Sequence, residues 1–362
     1  MGGLKQKLDD GFFRGKRILV TGDTGFKGSW LCFLLMKLGA KVSGFALPPS
    51  YQNSNYDLLQ LSKVIDHTDG NLCDAAALKD TFSRHQPEIV FHLAAQALVS
   101  EAFFDPHTTF STNVMGSVNL LDAVKETPSI KALIFVTSDK CYENLEWAWG
   151  YRETDILGGK DPYSASKAAA EIVFSAYYRS FLFNRDSFGA VTVRAGNVIG
   201  GGDWAANRIV PDCMRAFLEN EPITLRNPDA VRPWQHVLEP LSGYLELAVR
   251  IFDKPDDYDL AWNFGPDVGE VQTVLDVARG LASYFKNGEV CISAEGSKLI
   301  EANILQLNSD KAKQFLNWKT RWDFETTIEK TASWYVDVFQ QKQCPHKVTK
   351  IQLESYFGVK FD

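Results

Sequence analysis

Arg17-Ile18-Leu19-Val20-Thr21-Gly22-Asp23-Thr24-Gly25-Phe26-Lys27-Gly28 reads as a short strand that runs straight into a glycine-spaced turn. Ile18, Leu19 and Val20 form an unbroken apolar run, the pattern of a strand covered on both faces. Gly22, Gly25 and Gly28 then permit a tight turn, a close approach of backbone to a pyrophosphate, and close packing of helix on strand. The apolar stretch 29–38 supplies that helix, and its N-terminus faces the phosphates. Glycines at this spacing are weak on their own; a strand before and a helix after make the turn a dinucleotide-binding loop.

Outward from this unit the β-α alternation repeats. Strands are expected at 41–47, 64–67, 89–93, 133–136 and 190–194, and helices at 75–85, 109–125 and 164–183. This is the α/β class, a Rossmann-type doubly wound parallel sheet over residues 1–195. From 196 to 362 the alternation becomes irregular: a helix starts near Arg208, a short strand covers 223–225, and helices cover 273–285 and 324–339. We expect there a smaller mixed α/β substrate domain, with some chain crossing back to the first. The second strand ends in Ala46-Leu47, with neither the acid that grips a ribose 2′-hydroxyl nor an arginine for a 2′-phosphate, so NAD and NADP both stay open. The fourth ends in Leu93-Ala94-Ala95, small enough for a planar ring or ribose to lie against backbone. His92 has no metal-type partner at ligand spacing and reads as a strand-end core histidine.

Polar residues collect at the carboxyl end of the fifth strand, where open α/β sheets bind their ligands. They are Thr137-Ser138-Asp139-Lys140-Cys141-Tyr142. Beyond a loop, Tyr163-Ser164-Ala165-Ser166-Lys167 opens a helix after Pro162, and i, i+4 spacing puts Tyr163 and Lys167 on one face. A phenol with an ordinary pKa of ~10 becomes a usable base when an ammonium beside it favours phenolate. With a dinucleotide at hand, this pair points to removal of hydride from a carbinol carbon, Ser138 holding the same oxygen. Asp139 and Lys140 are an acid and a base where a simple dehydrogenase needs neither. Oxidation to a ketone acidifies the neighbouring C–H, so Lys140 can take that proton while a protonated Asp139 protonates a departing hydroxyl. The product has lost water. The loop 143–159, with Trp147, Trp149 and Tyr151, reads either as a lid or as a surface flap.

A net charge of -7 over 362 residues leaves no basic footprint for nucleic acid. No apolar run approaches the ~20 residues that span a bilayer. Lysines near the N-terminus are followed by no apolar core, so no secretory signal is expected. Six scattered cysteines without a C-x-x-C pair suggest reduced thiols and no metal site. Arg208, Arg226 and Arg232, gathered in an acidic protein, suggest an anionic ligand.

Taken together, the glycine loop, Tyr163-x-x-x-Lys167 and the features beyond them resemble the extended short-chain dehydrogenase/reductase family over essentially the whole chain. Within it, the stretch Thr137 to Tyr142 is similar to the branch that dehydrates CDP-glucose, as are Arg194-Ala195-Gly196-Asn197-Val198-Ile199-Gly200-Gly201-Gly202-Asp203-Trp204 and Arg232-Pro233-Trp234-Gln235-His236-Val237. The resemblance implies redox-neutral conversion of CDP-D-glucose to CDP-4-keto-6-deoxy-D-glucose: oxidation at C4, loss of water across C5 and C6, and hydride return to C6, with tightly held NAD. It implies catalysis by Ser138, Asp139, Lys140, Tyr163 and Lys167. The NAD contacts it implies are Gly22, Gly25, Phe26, Lys27, Gly28, Asn71, Leu72, Leu93, Ala94, Ala95 and Asn113, besides Tyr163 and Lys167, with Asn71 and Leu72 at adenine. Asn197, Arg208 and Arg232 are implied at the sugar nucleotide. A cytoplasmic homodimer or homotetramer in deoxysugar biosynthesis is implied as well. The alternatives are a dehydratase or epimerase acting on a UDP- or dTDP-sugar and, from a different class, a dinucleotide sensor without turnover.

Overall fold

In the computed structural model, which describes residues 4–255, 260–267, 272–293 and 304–361, the apolar runs read from the sequence become strands buried on both sides. Ile18 and Val20 join the apolar cluster on one face while Leu19 joins that on the other, and Ile89 and Phe91 against Val90 repeat the split. Helices cover both faces, which is why these strands show no polar alternation.

Strands β1 (Arg17–Thr21), β2 (Lys41–Ala46), β3 (Asp66–Asp69), β4 (Ile89–His92), β5 (Ala132–Val136) and β6 (Gly189–Ala195) form one sheet with a seventh strand, Ala261–Phe264. From one edge the order is Ala261–Phe264, β6, β5, β4, β1, β2, β3. Every neighbouring pair is parallel. The order reverses between β1 and β4, and the glycine loop after β1 meets the end of β4 at that switch point.

Several expected boundaries move for local reasons. β3 starts two residues late, because a short turn at Leu61–Lys63 takes up the chain and leaves Val64 exposed. The first long helix starts inside the glycine motif, at Phe26. The helix expected at 109–125 starts earlier, at Pro106, with the Asp105 carboxylate accepting from the Thr108 amide. It widens into a π-helical turn at Ser111–Met115 before continuing to Glu126.

Beyond residue 196 the described residues build three two-stranded pieces, pairing 198–199 with 235–236, 223–225 with 290–292, and 231–232 with 272–273. It also crosses back. Ala261–Phe264 completes the large sheet beside β6, and the buried helix Leu238–Asp253 packs against β5 and β6. Residues 1–3 and 362, the outer ends of the two expected domains, lie outside the described residues. Among the described residues no helix is long and apolar enough to cross a membrane.

Candidate active site

The turn after β1 has no room for side chains at two of its glycines. Gly22 has φ of 79°, and a Cβ there would lie 2.7 Å from the Ala94 amide nitrogen; a Cβ on Gly28 would lie 1.9 Å from the Gly22 carbonyl oxygen. The result is a backbone cradle at the N-terminus of helix Phe26–Lys37, pressed against the end of β4. It opens into a cleft of about 760 Å³ lined by Gly22, Gly25, Phe26, Lys27 and Gly28, by Asn71 and Leu72 after β3, and by Leu93, Ala94 and Ala95 after β4. Underneath, Asp23 is buried with its Oδ2 2.7 Å from His67 Nδ1, and His67 Nε2 is 3.1 Å from Asp69 Oδ1. This tie between the glycine loop and the Asn71 loop is not visible in the sequence.

Asn113, expected at the cofactor, lies behind the wall. Its Oδ1 accepts from the Gln96 amide at 2.8 Å, and its Nδ2 donates to the Gln96 carbonyl at 3.0 Å and to Ser166 Oγ at 2.9 Å. All three bonds go to protein, on a π-helical turn of the kind found at functional sites. Asn113 therefore shapes the wall by holding the segment after Ala95 against the helix that bears Tyr163.

The carboxyl end of β5 and the helix Pro162–Tyr177 close the middle of the cleft. Asp161 caps that helix, and Pro162 occupies its first turn without losing a bond. Ser138 caps a short turn, Asp139–Cys141: its hydroxyl donates to Asp139 Oδ1 at 3.0 Å and accepts from the Lys140 amide at 3.2 Å. Ser138, Asp139, Lys140, Tyr163 and Lys167 all line the one cleft. Burial raises the Tyr163 phenol against the opposing hydrogen bond with Ser138, leaving it at about 12. Lys167 is brought down to about 8 by burial and by the Lys27 charge. The net shift of Tyr163 is thus upward, opposite to the expected direction, because burial outweighs every charge near it. Asp139 is held above the ordinary carboxylate range by burial, against the pull of Lys140 and Ser138. Its Oδ2 is buried and without a hydrogen-bond partner. A carboxyl so placed can keep a proton and give it to an oxygen.

At the far end Asn197, Arg208 and Arg232 line the cleft together with Arg226. Asn197 is fixed through its carbonyl, which accepts from the Gln235 amide at 3.0 Å. Arg208 Nη1 lies 3.2 Å from the buried Asp203 Oδ2, a partner that the sequence marks only by a glycine run before it. Arg232 sits on the strand paired with 272–273, its Nη1 donating to the Val231 carbonyl at 2.8 Å. His92 is buried, as expected, and burial lowers its pKa to about 3.

Residues 143–161 do not line the cleft. Glu143 and Gly158 amides donate to the Ile156 and Cys141 carbonyls, and Tyr151 exchanges backbone bonds with Gln306 and Asn308. The Trp147, Tyr151 and Tyr142 rings stack in turn, and Trp149 packs at a tilt on Trp147. The loop therefore braces the turn Asp139–Cys141 and does not cover the cleft in this structure.

The family described as GDP-mannose 4,6 dehydratase matches residues 19–331. The chain is 42% identical over 332 residues to the CDP-glucose 4,6-dehydratase of Salmonella typhimurium (strain LT2), covering 91% of this chain and 92% of that protein. It is 24% identical to dTDP-glucose 4,6-dehydratase 1 of Escherichia coli (strain K12), over 88% and 92% of the two chains. Among solved structures, the UDP-glucose 4-epimerase of Thermus thermophilus in complex with NAD superposes with a TM-score of 0.75 at 25% identity, covering 88% of this chain and 98% of that one. A strand-loop-helix cradle, a Tyr/Lys helix and a full-length match to sugar-nucleotide enzymes agree, and the chain belongs to the GDP-mannose 4,6-dehydratase family of extended short-chain dehydrogenases/reductases.

Proposed function

We propose that this protein removes water from CDP-glucose to form CDP-4-keto-6-deoxyglucose, using NAD. The observation that carries this reading is the pairing of Asp139, buried with one unpartnered carboxylate oxygen and a raised pKa, with Lys140 in the turn beside Tyr163. An epimerase has no use for that acid and base. The full-length similarity to a CDP-glucose 4,6-dehydratase supports the same substrate.

The residues present fit a dinucleotide: the Gly22–Gly28 cradle would hold the pyrophosphate, Leu72 and Asn71 the adenine end, and Ala94 and Ala95 the inner ribose. When bound, the nicotinamide supplies reversible hydride transfer. Tyr163, as the phenolate that the Lys167 ammonium favours, takes the C4 hydroxyl proton and becomes a phenol, and Ser138 orients the oxygen. Lys140 takes the proton at C5, acidified by the new C4 carbonyl. Asp139 gives its proton to the C6 hydroxyl as that group departs, so one water leaves; return of the hydride to C6 and of the Lys140 proton to C5 would then give the 4-keto-6-deoxy product. Arg208 and Arg232 bind the diphosphate and nucleoside, Arg208 being held by Asp203.

We also infer a homodimer. Phe104 is 88% exposed, and Ile172, Phe181 and Phe183 are 60%, 58% and 62% exposed, on the surface made by Val99–Phe104 and the helix that starts at Pro162. Large exposed apolar groups on adjacent helices suit a second copy related by two-fold symmetry. All six cysteines are free, which suits a reducing cytoplasm.

The reading is tested by incubating the protein separately with CDP-, UDP- and dTDP-glucose in deuterated water and weighing the products. Loss of water from CDP-glucose, in preference to the other two, is expected. Mass-neutral turnover contradicts it.

A further inference from the structure

Beneath the catalytic turn lies a buried ion pair that the proposed chemistry does not use. Arg194, on β6, donates from Nε to Glu171 Oε1 at 2.8 Å and from Nη2 to Oε2 at 2.9 Å. The two are 3% and 4% exposed. Burial would raise the Glu171 pKa, but Arg194 and the hydroxyls of Thr137 and Thr192 hold it below the ordinary value. Burying two charges is costly, and apolar residues of similar volume often serve stability as well. The location of the pair matters more than its strength.

Each end of the pair reaches one flank of the turn that carries Ser138, Asp139 and Lys140. On the entering side, the Thr137 hydroxyl donates to Glu171 Oε1 at 2.5 Å. On the leaving side, Arg194 Nη1 donates to the Tyr142 hydroxyl at 2.7 Å, and that hydroxyl donates to Asn263 Oδ1 at 2.8 Å. Glu171 stands one helical turn beyond Lys167 and two beyond Tyr163, on the same face. One hydrogen-bonded unit thus joins the helix that would remove the C4 proton to the turn that would remove the C5 proton and protonate the C6 hydroxyl.

We propose that Glu171 and Arg194 are positioning residues that couple the two halves of the reaction by fixing the Asp139–Lys140 turn against Tyr163. This rests on the dehydratase reading. A turn released at either flank keeps Ser138 near Tyr163 through the hydrogen bond between their side chains, yet lets Asp139 and Lys140 drift from C5 and C6. Oxidation at C4 then outruns loss of water.

Glu171→Gln strands a buried guanidinium and is a poor test if the chain misfolds. Thr137→Val and Tyr142→Phe each remove one hydroxyl and keep shape, and Thr137→Ser restores the first. The full-length protein is assayed with CDP-glucose for reduced cofactor formed, for C5 deuterium exchange and for water loss, each per folded molecule. We expect Thr137→Val and Tyr142→Phe to hold KM within about 2-fold, lower the rate of water loss ~10-fold to ~100-fold, and accumulate reduced cofactor. Thr137→Ser recovers wild-type coupling. Water loss unchanged in both variants, or lost in step with C4 oxidation, overturns the coupling while leaving the dehydratase reading intact. Wild-type protein that turns over CDP-glucose without losing water contradicts the dehydratase reading, and the coupling falls with it.

Discussion

The Ser138 hydroxyl donates to one oxygen of the Asp139 carboxylate at 3.0 Å and leaves the other buried with no partner. A single contact thus orients the carboxyl and leaves its second oxygen without a partner. The expected consequence is a selective defect in Asp139→Asn, which keeps shape and loses the transferable proton. Water loss should fall ~10²-fold to ~10⁴-fold while oxidation at C4 persists, as read from reduced cofactor formed on adding CDP-glucose. Since Asp139 must carry its proton, and burial raises its pKa, water loss in the wild type should decline as pH rises through that raised value. A rate of water loss that climbs over the same range argues against Asp139 as the acid.

At the glycine cradle, the 1.9 Å separation between a Gly28 Cβ and the Gly22 carbonyl leaves no tolerated side chain. Overpacking of this kind costs ~1–3 kcal/mol. Gly28→Ala should therefore weaken dinucleotide binding ~10-fold or more, measured by titration, and lower Tm. Unchanged affinity means that the phosphates do not sit against this backbone.

For the anionic end of the substrate, Arg208→Ala should raise KM for CDP-glucose ~10-fold to ~100-fold, the equivalent of one charge-assisted hydrogen bond. The effect should shrink at high salt. A KM that stays within 2-fold places the diphosphate elsewhere.

Stability should carry its own pH signature, centred on Glu239. This carboxyl accepts from the Arg321 and Trp322 amides and from the Tyr356 hydroxyl, pinning residues 321–322 and the helix Pro345–Phe357 to Leu238–Asp253. Burial pushes it up to about 7 from an ordinary 4.5. An acid whose folded pKa exceeds its unfolded value contributes fully below the unfolded value and loses that contribution as pH rises through the folded one. The shift corresponds to on the order of 3 kcal/mol. Tm should fall between pH 5 and pH 8 in the wild type and less steeply in Glu239→Gln; parallel curves contradict this.

Oligomeric state offers a check away from the cleft. Ile172→Glu combined with Phe181→Glu places charge on the exposed helical surface without touching the core. The pair should shift the protein toward the mass of one chain in sedimentation. A dimer that survives both changes is built on another surface.

What the sequence discloses here follows from how local each signal is. The glycine cradle and the Tyr163/Lys167 pair are written in neighbouring residues, so spacing alone locates them. Asp139 and Lys140 are adjacent, and their placement at a strand end is enough to suggest an acid and a base. Glu171 and Arg194 are 23 residues apart, and Thr137 and Glu171 are 34 apart. Only the order of β5 and β6 in the sheet brings them together. Asn113 is expected at the cofactor only through the family resemblance, and its hydrogen bonds to Gln96 and Ser166 join segments that no local pattern connects. Leu238–Asp253 contains Pro240 and Gly243, which mask a helix whose first turn accepts the proline and whose burial is set by the sheet it covers. The direction of the Tyr163 shift depends on how deeply the phenol is buried, a quantity that no local pattern encodes.

The most direct test of the account is the fate of CDP-glucose on Lys140→Ala in deuterated water. Oxidation at C4 should continue, seen as reduced cofactor, while no deuterium enters C5 and no water is lost. Dehydration at the wild-type rate in that variant contradicts it.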